Sequence, residues 1–195
     1  MSLGISANKE RNGALLAYIA KNVPNVNLRK LLKIVYLIDE KYMQQKGFPL
    51  TWFDYYAWEK GPVAPEVYDV KNGAFSEYVR CQENAEGKNI VESILDNKFL
   101  VLKRMEVFSP NEMQVIDSVL RECEGKTADE LTDLTHEDDS LWSKTVRENG
   151  IVFVSGKSDV QLPLTRLNEG DEDKQEMYAD AKWNMDFQAA LNASK

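Results

Sequence analysis

The chain is poor in the residues that catalysis and metal binding usually draw on. Its 195 residues contain one histidine, His136, and two cysteines, Cys81 and Cys123. Neither cysteine belongs to a CxxC pair, so neighbouring residues cannot assemble any of the usual zinc ligand sets, and both thiols are expected to be reduced and structural. Neither GxGxxG nor GxxxxGK[ST] occurs, which leaves a nucleotide cradle without sequence support. No apolar run approaches the ~20 residues of a membrane span. The opening Met1-Ser2-Leu3-Gly4 lacks the basic start and apolar middle of a signal peptide, so a cytosolic protein with no membrane partner is expected. Basic charge is also short: 24 Lys and Arg against 32 Asp and Glu give a net charge of −8, which disfavours contact with a phosphate backbone and favours a basic protein partner.

What remains has the composition of an ordinary globular protein, 43% hydrophobic and 29% charged, long enough for one domain plus an appendage. Leu15, Leu16, Ile19 and Val23 space a short amphipathic helix over 13–22 that ends before Pro24. Asn27 is a suitable N-cap for a longer helix over 28–46. Leu28, Leu31, Leu32, Val35, Ile38 and Tyr42 make one face of it, and Ile34, Leu37 and Met43 add most of a second. A helix this apolar around its circumference belongs in the middle of a domain. Lys21, Arg29, Lys30 and Lys33 near its start read as its solvated edge rather than as a nucleic-acid patch. Further on, Cys81 to Asn89 reads as an exposed loop and Ile90 to Leu102 as an amphipathic stretch. Ser109-Pro110-Asn111-Glu112 and Thr127-Ala128-Asp129-Glu130 are two capping boxes that open helices. Asp138 or Asp139 then caps a helix burying Leu141, Trp142 and Val146, closed at Gly150. A last helix over 173–191, after an acidic run from Asn168, carries a thinner apolar stripe.

The most informative stretch is Tyr55-Tyr56-Ala57-Trp58-Glu59-Lys60-Gly61-Pro62-Val63-Ala64-Pro65. Pro62 fixes its own φ and restrains Gly61, while Pro65 suits the first turn of a helix, so the segment reads as strand, rigid corner, helix. The strand is expected near 52–58, with a candidate partner at 151–154. Two readings of the corner stand side by side. Tyr56 and Trp58 are core aromatics with Gly61 and Pro62 shaping a turn, or the corner is exposed, with Tyr55 and Lys60 the most accessible, and Trp and Tyr serve as hot-spot residues for a partner. The rival chemistry is a hydrolase or nuclease centred on His136, beside Glu137, Asp138 and Asp139. Adjacent residues on a turn do not face one another, however, and the same histidine at a helix start serves equally well to bond local backbone.

Several of these features together resemble the Panacea domain, the SocA-like or GepA-like family of phage-associated antitoxins. The likeness lies in Leu31-Leu32-Lys33-Ile34-Val35-Tyr36 with Asp39, then Gly47-Phe48-Pro49-Leu50, then Ala57-Trp58-Glu59-Lys60-Gly61-Pro62-Val63 with Pro65 and Tyr68. Downstream it includes Leu134-Thr135-His136-Glu137, Trp142 and Gly150. The resemblance covers roughly residues 10 to 155. It implies a mainly α fold, a compact multi-helix domain around the helix at 28–46 with a small β element near 52–58 and a candidate strand at 151–154. It implies no catalysis and no cofactor; a domain over 1–155 with an extension over 156–195 outside the motifs is expected, and no metal. The expected partner is a cognate toxin encoded next door, neutralised by masking or by delivery to a protease. Tyr55, Tyr56, Trp58, Lys60, Gly61, Pro62, Val63 and Pro65 are the expected partner-binding residues. Tyr36, Asp39, His136 and Trp142 are expected to be structural.

Overall fold

The computed structural model describes residues 1–95 and 98–194, with the side chains of Lys98 and Phe99 left aside. Helices dominate. After a four-residue turn of helix, α1 (Leu3–Ser6), come α2 (Lys9–Asn22) and the central α3 (Leu28–Lys46). Asn27 caps α3 by accepting the Lys30 amide at 2.9 Å, and Gly47 ends it in the left-handed region at φ 81°, a geometry that favours glycine. Leu31, Ile34, Val35, Ile38 and Met43 are fully buried on this helix, against Leu15, Leu16 and Ile19 of α2 within one continuous core. The wide apolar circumference read from the sequence is therefore the signature of a helix with neighbours on most sides.

The β element is smaller than expected and pairs differently. β1 (Tyr56–Trp58) and β2 (Gly61–Val63) form an antiparallel hairpin in which Trp58 opposes Gly61 across a two-residue turn, Glu59-Lys60. Residues 52–55 are not strand; Trp52 adopts φ 59°, which breaks extended geometry. Nor does 151–154 supply the second strand. Val152 and Val154 are exposed there, and the far edge of β1 is covered by 160–162 instead. The Ala57 amide donates to Val160 O at 2.9 Å and the Leu162 amide to Tyr55 O at 2.7 Å. Pro62 opposes Ala57, whose amide points away from β2, so the missing proline N–H leaves no gap in the ladder.

Past the corner, α4 (Pro65–Tyr68) continues as a 3-10 turn, Asp69–Asn72, closed by Gly73 at φ 94°. The stretch read as an exposed loop over 81–89 is mostly a second hairpin, β3 (Val79–Glu83) with β4 (Asn89–Ser93). Its outer face is polar, as in the Arg80–Glu92 ion pair, which hides the period-two pattern, and only Asn84 to Lys88 form the turn. The amphipathic stretch from Ile90 splits into β4 and α5 (Lys98–Met105); Asp96 and Asn97 within it lie outside the described residues.

Both capping boxes form, opening α6 (Pro110–Glu122) and α7 (Ala128–Thr135). The cap of α8 (Leu141–Glu148) is Ser140, not Asp138 or Asp139. A second 3-10 turn, Leu164–Asn168, packs on α3, where Asn168 Nδ2 donates to Gly47 O at 2.7 Å. Finally α9 (Glu172–Ala193), capped by Asp171, touches α1 and buries no residue of its own.

One polar cluster ties the segment before β1 to α3. Asp39, fully buried, accepts from the Thr51 amide at 2.8 Å, from the Thr51 hydroxyl, and from Tyr55 Oη at 2.7 Å. Burial raises its pKa to about 6 although these hydrogen bonds pull the other way. The folded state thus holds the Asp39 proton more tightly than the unfolded chain does. The resulting stabilisation is full below about pH 4 and is lost as pH rises through 6, a change of about 3 kcal/mol. Urea unfolding at pH 4 and pH 7 should therefore show Asp39→Asn gaining on the wild type as pH rises; parallel curves for the two proteins would contradict this assignment.

Candidate functional site

The β1–β2 corner is held from three elements at once. On α8, Trp142 Nε1 donates to Trp58 O at 2.9 Å; at the end of α7, His136 Nε2 lies 3.2 Å from Glu59 O; on α3, Lys33 Nζ reaches Pro62 O at 3.5 Å, a long bond. Three carbonyls of the corner, those of Trp58, Glu59 and Pro62, are thereby met by side-chain nitrogens. A fourth tie runs from the Glu59 amide to Gly156 O at 3.0 Å. Gly61 makes the close approach feasible. Its φ is 100°, and a Cβ there would fall 2.3 Å from Lys33 Nζ and 2.8 Å from Thr135 Oγ1.

Aromatic packing reinforces the frame. The His136 and Trp142 ring centres are 3.7 Å apart, and Trp142 stacks on Phe153 at 6.0 Å and 6°. Trp58, half-buried, meets the edge of Tyr68 at 4.9 Å, with Lys157 Nζ 4.5 Å above its ring.

The residues singled out from the sequence separate into three environments. Lys60 is exposed, while Tyr56, Trp58 and Pro65 are half-buried and form the accessible part of the corner. Gly61, Pro62 and Val63 are buried beneath it. Tyr55, expected at the surface, is 1% exposed, because its hydroxyl is committed to Asp39 and its ring meets Tyr36 edge-on at 5.3 Å. Tyr36 Oη donates to Glu40 at 2.8 Å. Tyr36, Asp39 and Tyr55 thus belong to the core cluster, whereas His136 and Trp142 grip the corner.

His136 does not pair with the neighbouring carboxylates. Its Nδ1 lies 2.7 Å from Thr132 O and its Nε2 faces Glu59 O, so both ring nitrogens meet backbone carbonyls. General-base work would need one of them free to take a substrate proton. Among the described residues no group of three or more His, Cys, Asp or Glu is placed to hold a metal, and no helix is long and apolar enough to cross a membrane.

Lys33 is a second residue, after Tyr55, that sequence reading misplaced. Read as part of a solvated edge, it is 1% exposed, and its acid–base equilibrium is shifted down to about 7, first by burial and then by the nearby Arg29 guanidinium. The available signal was its setting: Leu31, Leu32, Ile34 and Val35 enclose it on a helix that is apolar nearly all round.

Comparison with known families gives one match. The family model described as antitoxin SocA-like, Panacea domain, covers residues 31–143, a span that contains Lys33, the whole corner, His136 and Trp142. No curated protein and no solved structure matches the chain.

Two outcomes check the frame. Trp142→Phe, which keeps an aromatic ring but removes the N–H donated to Trp58 O, should cost about 1–3 kcal/mol in urea unfolding, and Gly61→Ala at least as much; wild-type stability in both would show that the corner is not held as described. For Lys33 the depressed folded pKa means stability is lost as pH falls from about 10 to 7, by about 1.4 kcal/mol per unit. Lys33→Met should unfold with that dependence removed, and an unchanged slope would contradict burial of the amine.

Proposed function

Because this chain belongs to the antitoxin SocA-like, Panacea domain family, we propose that it neutralises a cognate toxin by binding it, using the exposed side of the β1–β2 corner, and that it performs no reaction of its own. The observation that carries this reading is the family match across a corner whose backbone is fixed by α3, α7 and α8. A surface already rigid loses little conformational entropy when a partner docks, and a half-buried Trp beside an exposed Lys is the kind of pair on which binding energy concentrates.

A second contact is supplied by α9. Trp183 is 67% exposed and stacks with Phe187 at 5.9 Å; with Met177 and Leu191 they leave an apolar stripe open to solvent. Around it lie Glu172, Asp173, Glu176, Asp180 and Asp186 against only Lys174 and Lys182. An apolar stripe flanked by carboxylates fits a toxin with a basic, partly apolar face. The division expected at residue 155 moves later, because 156–168 line β1 and pack on α3; we assign α9 alone to the added arm.

Two modes of neutralisation differ in a measurable way: masking leaves the toxin's cellular level unchanged, whereas delivery to a protease lowers it. The neighbouring gene product is the expected toxin. Co-expression with the wild-type chain should restore growth and give a complex on gel filtration. Trp58→Ala with Lys60→Glu should weaken that complex by about thirtyfold or more while the chain stays folded by circular dichroism. Full rescue by the double variant would remove the corner from the interface, and no complex with the wild type would remove the reading itself.

A further inference from the structure

Beside the corner, α3, the start of β4 at 88–89 and the loop at 155–157 border a cavity of about 440 Å³. In a chain of net charge −8, five of its lining residues are cationic, Arg29, Lys33, Lys60, Lys88 and Lys157, and one, Glu59, is a carboxylate. Two of the rim cations have acidic neighbours, Arg29 with Asp129 at 2.8 Å and Lys88 with Glu86 at 2.7 Å, both in water. Lys33 differs. It lies in the wall with only the 3.5 Å bond to Pro62 O and no carboxylate to offset its burial. The apolar part of the wall is Leu28, Leu32, Val63, Trp58 and Tyr68. A volume in the small-molecule range, apolar walls and one buried polar group without a counter-charge are the ordinary makings of a ligand site.

We propose that this cavity binds a small molecule with a flat apolar body and one anionic group, carboxylate or phosphate, the anion meeting Lys33 Nζ and the body lying along Trp58 and Leu32. The amine that is costly to charge when the cavity holds no anion becomes an ammonium against a bound one, so binding takes up a proton above neutral pH. Near that amine lie Arg29 on α3, the Gly61 and Pro62 backbone on β2, and Thr135 and His136 at the end of α7; Glu59 and Lys60 in the turn, with Lys88 and Lys157, are the other charged groups lining the cavity. The site stands on these residues alone and does not depend on the toxin-binding reading.

The test is calorimetric titration of the full chain with two probes of fixed charge between pH 6.5 and 8.5, indole-3-acetate and guanosine 3′,5′-cyclic monophosphate. At least one should bind one-to-one with Kd on the order of 10 μM at pH 6.5, weakening towards tenfold per unit above pH 7. The carboxylate binding alone would assign an aryl acid, the phosphate alone a nucleotide, and both a general anion site. Lys33→Met should abolish the binding together with its pH dependence. Lys157→Glu, at the rim and away from the fold's core, should weaken it about tenfold and guards against a misfolded Lys33 variant. Neither probe binding, or both variants binding like the wild type, would overturn the proposal.

Discussion

Everything built around the corner depends on three side-chain nitrogens, from α3, α7 and α8, reaching three backbone carbonyls of one tight hairpin. A two-stranded hairpin of three-residue strands is not stable by itself in water. Here three of its carbonyls are met by groups that are themselves fixed by ring packing and burial. Gly61 makes this geometry compatible with close packing, since a side chain at that position would occupy the space of Lys33 and Thr135. The result is an aromatic surface whose backbone has little freedom left.

The same logic runs along the central helix. α3 carries two buried ionisable groups, Asp39 and Lys33, and they hold the two ends of one chain segment: Asp39 takes Thr51 and Tyr55, Lys33 takes Pro62. Each is shifted towards its neutral form by burial, Asp39 up to about 6 and Lys33 down to about 7. An apolar helix would place the segment 51–62 without preference for its exact register; two polar anchors on one rigid element define it. Charge is thus a cost that this fold bears in order to hold one arrangement of the corner.

Much of this was legible before any coordinates. The central helix followed from its apolar circumference and its Asn27 cap, and the boxes at Ser109 and Thr127 marked two helix starts correctly, because capping is local chemistry. The stiffness of proline pointed to a corner near Gly61-Pro62, but the chain reverses two residues earlier, at Glu59-Lys60, and Gly61–Val63 is the returning strand. What failed was non-local. Residues 151–154 look like strand, yet the edge of β1 is taken by 160–162, and no local pattern states which segment wins an edge. The hairpin over 79–93 was hidden by its polar outer face. Tyr55 and Lys33 were misjudged in opposite senses, since burial of a hydroxyl or an amine is decided by whether a distant acceptor waits for it. The grouping of His136 and Trp142 around Trp58 and Glu59 could be suspected from their shared family motif, but not their bonding to backbone.

An antitoxin that binds through a rigid corner makes a specific demand on exchange behaviour. Amide hydrogen exchange of the full chain, alone and with the neighbouring gene product, tests it most directly. The peptide spanning 55–65 should already exchange slowly in the free protein and gain further protection in the complex. Fast exchange of that peptide in the free chain, or complex formation that protects other segments and leaves this one unchanged, would contradict a preformed corner as the surface that grips the partner.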